Sequence, residues 1–208
     1  MTLGPARWHV VAESSFVWER EALDWLRSHL PDRDPWHVWT NFEFIDDEGK
    51  VSEVDALVLS PAGLFLVEIK SRPGILSGDT HSWTWNTDGR TTIHDNPLIL
   101  ANRKAKRLAS LLKRQPAIVK AKIRLPFVEA AIFLSSSSLS FRLEGLAKSA
   151  TFPHGHPGSV DDAGIVGALT GGITNRGTSP VRGALKERKI LHVKRFASKG
   201  MRFPVRFA

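Results

Sequence analysis

The chain has 208 residues, 42% of them hydrophobic and 24% charged, which suits one soluble domain with a sizeable core. It has no cysteine, so disulfides and thiolate metal sites are excluded and nothing argues for secretion. Its net charge of +8 is unevenly spread: residues 1–95 hold 8 Lys/Arg against 16 Asp/Glu, and residues 96–208 hold 21 against 5.

An acidic half joined to a strongly basic half suits a polyanionic partner, with nucleic acid the first candidate. A solvated basic surface would have the same composition. No apolar run approaches the roughly 18 residues of a membrane span, and the start, MTLGPARWHV, lacks a signal-peptide layout. The expectation is a cytoplasmic protein without a membrane partner.

In chain order, Ser14 or Ser15 is placed to cap a helix that runs to about Leu30 and stops at Pro31. Phe16, Leu23, Leu26 and Leu30 form its apolar stripe, and Glu19 fills the slot between 16 and 23, so it points inward with them. WHVWTNFEF (36–44) and VSEVDALVL (51–59) read as strands around the turn DDEGK. SPAG (60–63) turns the chain into LFLVEIK (64–70). WTWN and RTTI flank Thr87-Asp88-Gly89 as a small hairpin.

Asn96 and Pro97 open a helix whose buried stripe is Leu98, Ala101, Ala105, Leu108 and Leu112. FVEAAIFLS (127–135) has the unbroken apolar run of a central strand. Residues 136–158 read as loop, and Asp161 or Asp162 starts a short helix through Leu169. Residues 171–180 read as a linker, followed by a basic amphipathic end. The predicted fold class is α/β, a mixed central sheet flanked by helices.

The hairpin from 51 to 70 carries the chemistry. With a four-residue loop at 60–63, Leu59 opposes Leu64 and Asp55 falls opposite Glu68. Opposed side chains have Cβ atoms about 4.5–5.5 Å apart and point the same way. Strict alternation puts Asp55 on the face of Leu57 and Leu59, and Lys70 on the face of Glu68. Two half-buried carboxylates side by side raise each other's pKa unless a cation intervenes, and a hard divalent ion is the natural one. Lys70 can then hold a phosphate oxygen or polarise a water. Glu19 is a candidate third carboxylate. A Glu68 salt bridge to Lys70 or Arg72 is the plainer alternative.

Asp55 followed by Glu68-Ile69-Lys70 resembles the PD-(D/E)-x-K nuclease core of the restriction-endonuclease-like fold. Together with Glu19, the run EVDALVLSPAGLFLVEIKSRPG from 53 to 74, Trp83, Trp85 and NPL at 96–98, the chain is similar to nuclease-related (NERD) domains over about residues 13–135. KSRPG, WTWNTDGR and NPLILANRKAKRLASLL resemble the N-terminal region of serine/threonine kinases from phage-growth-limitation and bacteriophage-exclusion (BREX) defence systems. No kinase signature follows.

The resemblance implies that Asp55, Glu68 and the Ile69 carbonyl ligate Mg²⁺ or Mn²⁺, with Glu19 completing the site. It implies that Lys70 orients the attacking water in phosphodiester hydrolysis, and that other defence components are partners. It further implies a nuclease-like domain at 1–170, then a linker and basic segment at 171–208 leading toward a kinase domain. A non-catalytic DNA- or nucleotide-binding or regulatory domain is the alternative. Many members carry Gln four residues after the Asn of the NP motif, a group that would position substrate; here that residue is Leu100.

Arg103, Lys104, Lys106, Arg107, Lys113 and Arg114 lie on the second helix, and no acid occurs from Asn96 through Val128. Such a face suits DNA phosphates. Lys186 to Arg206 form a second basic cluster. The pair His154 and His156 is a weak metal motif. The run SSSS lacks the setting of a hydrolase nucleophile. Trp83 and Trp85 share a strand face suited either to core packing or to stacking on bases.

Overall fold

The computed structural model describes residues 2–120, 122, 125, 127–155 and 164–173. Two mixed sheets are present, in an α/β arrangement of restriction-endonuclease-like type. The larger sheet has six strands. Its order is β1 (Trp8–Val10), β2 (His37–Ile45), β3 (Val51–Ser60), β4 (Gly63–Lys70), β8 (Val128–Leu134) and β10 (Thr151–Phe152). Strands β2, β3 and β4 are antiparallel, whereas β4 and β8 run parallel. A parallel neighbour needs a crossover. Here the crossover contains three of the four strands of the second sheet and helix α2 (Pro97–Lys113).

The second sheet orders β7 (Arg90–Asp95), β6 (Ser82–Thr87), β5 (Gly74–Gly78) and β9 (Leu139–Leu143). The predicted WTWN/RTTI hairpin is therefore part of a separate sheet. Asp88 and Gly89 both have positive φ, 52° and 75°, as a two-residue type I′ connection requires. At Gly74 (φ 111°) an added Cβ would lie 2.4 Å from the Asn86 carbonyl oxygen, so the chain leaves the EIKSR segment through a position only glycine fits.

Both faces of the six-stranded sheet are covered. One core layer joins Leu57, Leu59, Leu64 and Leu66 to the predicted α2 stripe of Leu98, Ala101, Ala105, Leu108 and Leu112, and to Leu76, Trp83 and Trp85 of the second sheet. Trp83 and Trp85 are therefore core residues. The other layer joins Val58, Phe65, Val67 and Phe133 to helix α1 (Val17–His29) and helix α5 (Gly164–Gly171). Asn96 caps α2 as predicted: its Oδ1 accepts a hydrogen bond of 2.9 Å from the Leu98 amide, and Pro97 follows. Buried Ser60 donates a 2.6 Å bond to the Leu169 carbonyl, tying α5 to the sheet.

Several expectations are corrected. Ser14 does not cap α1; its Oγ accepts from the Phe16 amide at 3.1 Å, and Phe16 takes the N-cap position. Phe16 is 51% exposed and stacks on Trp18 instead of joining the buried stripe of Leu23, Leu26 and Leu30. Residues 136–158 are not all loop, because they contain β9, α4 (Gly145–Ser149) and β10. The short strand β1 and helix α3 (Pro116–Lys120) are additional elements. The expected helix start at Asp161 or Asp162, His156, most of the 171–180 linker and the Lys186–Arg206 cluster lie outside the described residues.

Candidate functional site

The hairpin register is as predicted. Leu59 pairs with Leu64, Val58 with Phe65, Leu57 with Leu66 and Ala56 with Val67. The turn itself is tighter than drawn from sequence, because Ser60 and Gly63 are also paired. At Ala56–Val67 the ladder stops. The Asp55 Oδ2 atom then takes the amide hydrogen of Ile69 at 2.7 Å, a side-chain bond where a backbone rung would otherwise continue.

Strict alternation also fails at this point. Val54 packs in the same layer as Leu57 and Leu59, not with Ala56 and Val58. On the neighbouring strand, Phe42 and Phe44 likewise share a layer with Trp39. Asn41 lies between them with φ 53°, and it and Asp55 are skipped in the β2–β3 pairing. A left-handed residue interrupts the even alternation of an extended strand. Asp55 therefore lies at the break, where the even alternation assumed from sequence no longer defines its face.

Glu68 is 13% exposed and lies between two lysines. Its Oε1 is 3.0 Å from Lys70 Nζ, and its Oε2 is 2.9 Å from Lys104 Nζ. Lys70 comes from the same strand, as period two requires. Lys104 comes from α2, which packs against β4 and β8. Of the two salt-bridge partners in the plainer alternative, Lys70 is the one observed; Arg72 bonds Thr92 Oγ1 at 2.9 Å and sits 5.5 Å over the Trp85 ring.

The electrostatics separate the carboxylates. Burial, reinforced by the Glu68 charge, pushes Asp55 up to about 7. Burial also works to raise Glu68, but Lys70 and then Lys104 outweigh it and hold that carboxyl below the ordinary glutamate value. Burial raises the half-buried Glu19 as well. The Ser14 hydroxyl opposes this, and the Glu68 charge adds to it. Glu19 thus faces the same electrostatic environment as Asp55, Glu68 and Lys70.

The donor set suits a hard cation: two carboxylates on adjoining strands and the backbone of Ile69 between Glu68 and Lys70. A raised Asp55 beside Glu68 is the electrostatic signature of a carboxylate pair that a divalent ion would relieve. As the side chains stand, however, no three His, Asp or Glu groups among the described residues are close enough together to hold a metal ion. Glu68 has both oxygens engaged by ammonium groups.

The six basic residues of α2 divide into two sets. Lys104 pairs with Glu68, Arg107 Nε lies 3.1 Å from Asp46 Oδ2, and Arg114 pairs with Asp47. The acids missing from the helix sequence are thus supplied by the β2–β3 turn and by β4. Arg103, Lys106 and Lys113 are exposed, and no ion pair holds them among the described residues. Leu100, in the first turn, is 49% exposed. His154 packs edge-on against Trp25 and Phe133, with ring centroids at 4.4 and 5.0 Å, so it is part of an aromatic cluster.

The direct role of Lys104 at Glu68 was the interaction that sequence reasoning missed. Its signal was present: Lys104 is three residues after buried Ala101 and four before buried Leu108, hence on the packed side of α2.

Comparison with known proteins settles the family. The nuclease-related domain profile matches residues 14–135. The chain belongs to the nuclease-related domain family. It is also 43% identical over 138 residues to a "Probable kinase PglW" from Streptomyces coelicolor. That match takes in 66% of this chain and 8% of the relative. No solved structure matches. Among the described residues, no helix is long and apolar enough to cross a membrane.

Proposed function

We propose that this NERD chain is a metal-dependent nuclease that binds DNA and hydrolyses its phosphodiester bonds in bacterial defence against phage. The observation that carries the proposal is Asp55 beside Glu68 and Lys70, with burial and the neighbouring carboxylate pushing Asp55 up to about 7. Asp55, Glu68 and the Ile69 carbonyl would hold Mg²⁺ or Mn²⁺, aided by Glu19. The ion would supply charge neutralisation and an activated water.

The chain's own groups have distinct tasks in this reading. The Ile69 amide fixes the Asp55 carboxylate through Oδ2. Lys70 holds its ammonium at Glu68, beside the position a phosphate would take. Arg103, Lys106 and Lys113 give α2 an exposed cationic face for the DNA backbone. The resemblance of KSRPG, WTWNTDGR and NPLILANRKAKRLASLL to phage-defence kinases, together with the similarity to "Probable kinase PglW", supports the defence setting; a cytoplasmic location and other defence components belong to the same reading. In this reading residues 1–170 are the nuclease-like domain and 171–208 a connection toward a kinase domain.

Leu100 favours a second reading. A leucine cannot supply the hydrogen bonds of the glutamine found there in many family members, and a DNA- or nucleotide-binding regulatory domain needs no such group. Incubation with supercoiled and linear DNA in Mg²⁺ or Mn²⁺, beside Asp55→Ala and Lys70→Ala, separates the two. The nuclease reading expects metal-dependent cleavage by wild type that both variants lose. Equal, negligible cleavage by all three proteins supports the binding domain.

A further inference from the structure

We propose that Lys104 is an internal counter-cation that competes with a divalent metal ion for Glu68. The inference rests on the reading of Asp55 and Glu68 as a metal-binding pair, and adds a control on when that pair can be filled.

The Lys104 side chain is 12% exposed and the Glu68 side chain 13%. An ammonium and a carboxylate so far removed from water persist only when paired, and here they approach to 2.9 Å. Lys70, on the other oxygen of Glu68, is 35% exposed. The nuclease chemistry calls for one lysine, two residues beyond the glutamate, and Lys70 fills that position. A second ammonium on the same carboxylate is surplus to it. The surplus is also lopsided: Glu68 has two cations within ion-pair distance, while Asp55 has none among the described residues.

Lys104 must therefore leave Glu68 Oε2 before Glu68 can turn that oxygen to a divalent ion shared with Asp55. The displaced ammonium then needs another anion. Arg103 and Lys106 flank it in sequence with positive charge, and DNA phosphate is the anion the proposed reaction brings. Lys104 thus raises the cation concentration needed to fill the site in the absence of DNA. By the reciprocity of linkage, it also makes metal and DNA each favour the other's binding.

Mn²⁺ titration of the 208-residue chain without DNA, read by the loss of the free-ion electron paramagnetic resonance signal, tests this without any assay of cleavage. Lys104→Met should bind Mn²⁺ roughly tenfold or more tightly than wild type, within the usual range of coupling between sites. Lys104→Gln should shift the affinity in the same direction, and serves if the Met variant does not fold. Asp55→Asn should abolish the tight site in both backgrounds. Equal or weaker Mn²⁺ binding by the folded Lys104 variants overturns the inference alone. Absence of Mn²⁺ binding from wild type and variants alike overturns it together with the metal reading.

Discussion

The Asp55 carboxylate accepts a 2.7 Å hydrogen bond from the amide of Ile69, the residue between Glu68 and Lys70. This bond occupies the place of the next rung after Ala56–Val67 and fixes one carboxylate against the backbone that carries the other two charged groups. Whatever moves Asp55 while this bond holds therefore moves Glu68 and Lys70 with it.

A buried carboxyl with a raised pKa makes a definite stability prediction. Between about pH 4 and 7 the unfolded Asp55 has lost its proton and the folded one keeps it, so stability falls as pH rises through that window. Asp55→Asn keeps an oxygen for the Ile69 amide and removes the charge. In chelator, the variant should be more stable than wild type at pH 8. The gain should be on the order of 1.4 kcal/mol for each tenfold difference in proton affinity between folded and unfolded Asp55. Thermal melts at pH 3.5 and pH 8 check this: the gain should vanish at the lower pH.

Glu68 has the opposite sign. Its lowered pKa contributes stability above the ordinary glutamate value, and that stability is lost as pH falls through the folded value. Its two lysines should not contribute equally. A double-mutant cycle of Glu68→Gln with Lys104→Met should give a coupling of about 1–3 kcal/mol. The same cycle with Lys70→Met should give less: Lys70 is the stronger charge on Glu68 in the folded site, but at 35% exposure against 12% for Lys104 water screens it more. Equal couplings from denaturant unfolding would show that burial does not set the strength of these pairs.

On α2, DNA binding and folding should be separable. Replacing Arg103, Lys106 and Lys113 together by Ala should weaken DNA binding and flatten its salt dependence, with little change in melting temperature. The log–log slope should fall by about one for each phosphate the helix no longer neutralises. Arg107→Ala should instead loosen the β2–β3 turn, where its Nε holds Asp46 at 3.1 Å. Fluorescence anisotropy across a salt series, beside thermal melts, distinguishes them. A triple variant that binds with the wild-type salt slope removes α2 from the DNA surface.

Leu100→Gln restores the glutamine that many family members carry. At 49% exposure the change should alter stability by no more than about 0.5 kcal/mol. It should raise metal-dependent cleavage above the wild-type level, measured on linear DNA. Unchanged cleavage would mean that Leu100 does not limit the reaction.

Much of the site was legible because local rules determine it. The pairing of Leu59 with Leu64 follows from a tight turn between two apolar strands, and the Asn96 cap and the α2 stripe follow from helical period. The face of Asp55 was not legible, because the break in alternation coincides with left-handed Asn41, a residue of the neighbouring strand that no local pattern sets opposite it. Ion pairing on α2 was hidden for a similar reason. A helix without acids looks unpaired until Asp46, Asp47 and Glu68 arrive from elements far away in sequence. The second sheet joins β5 (Gly74–Gly78) to β9 (Leu139–Leu143), two segments far apart in the chain, and no local pattern announces that pairing.

In the proposed function Asp55 and Glu68 form one cation site. Anomalous diffraction from a crystal soaked in Mn²⁺ tests it most directly. A single anomalous peak should lie between both carboxylates, with Lys104 withdrawn from Glu68 Oε2. Crystals that show no peak there, and Lys104 still on Glu68, would contradict it.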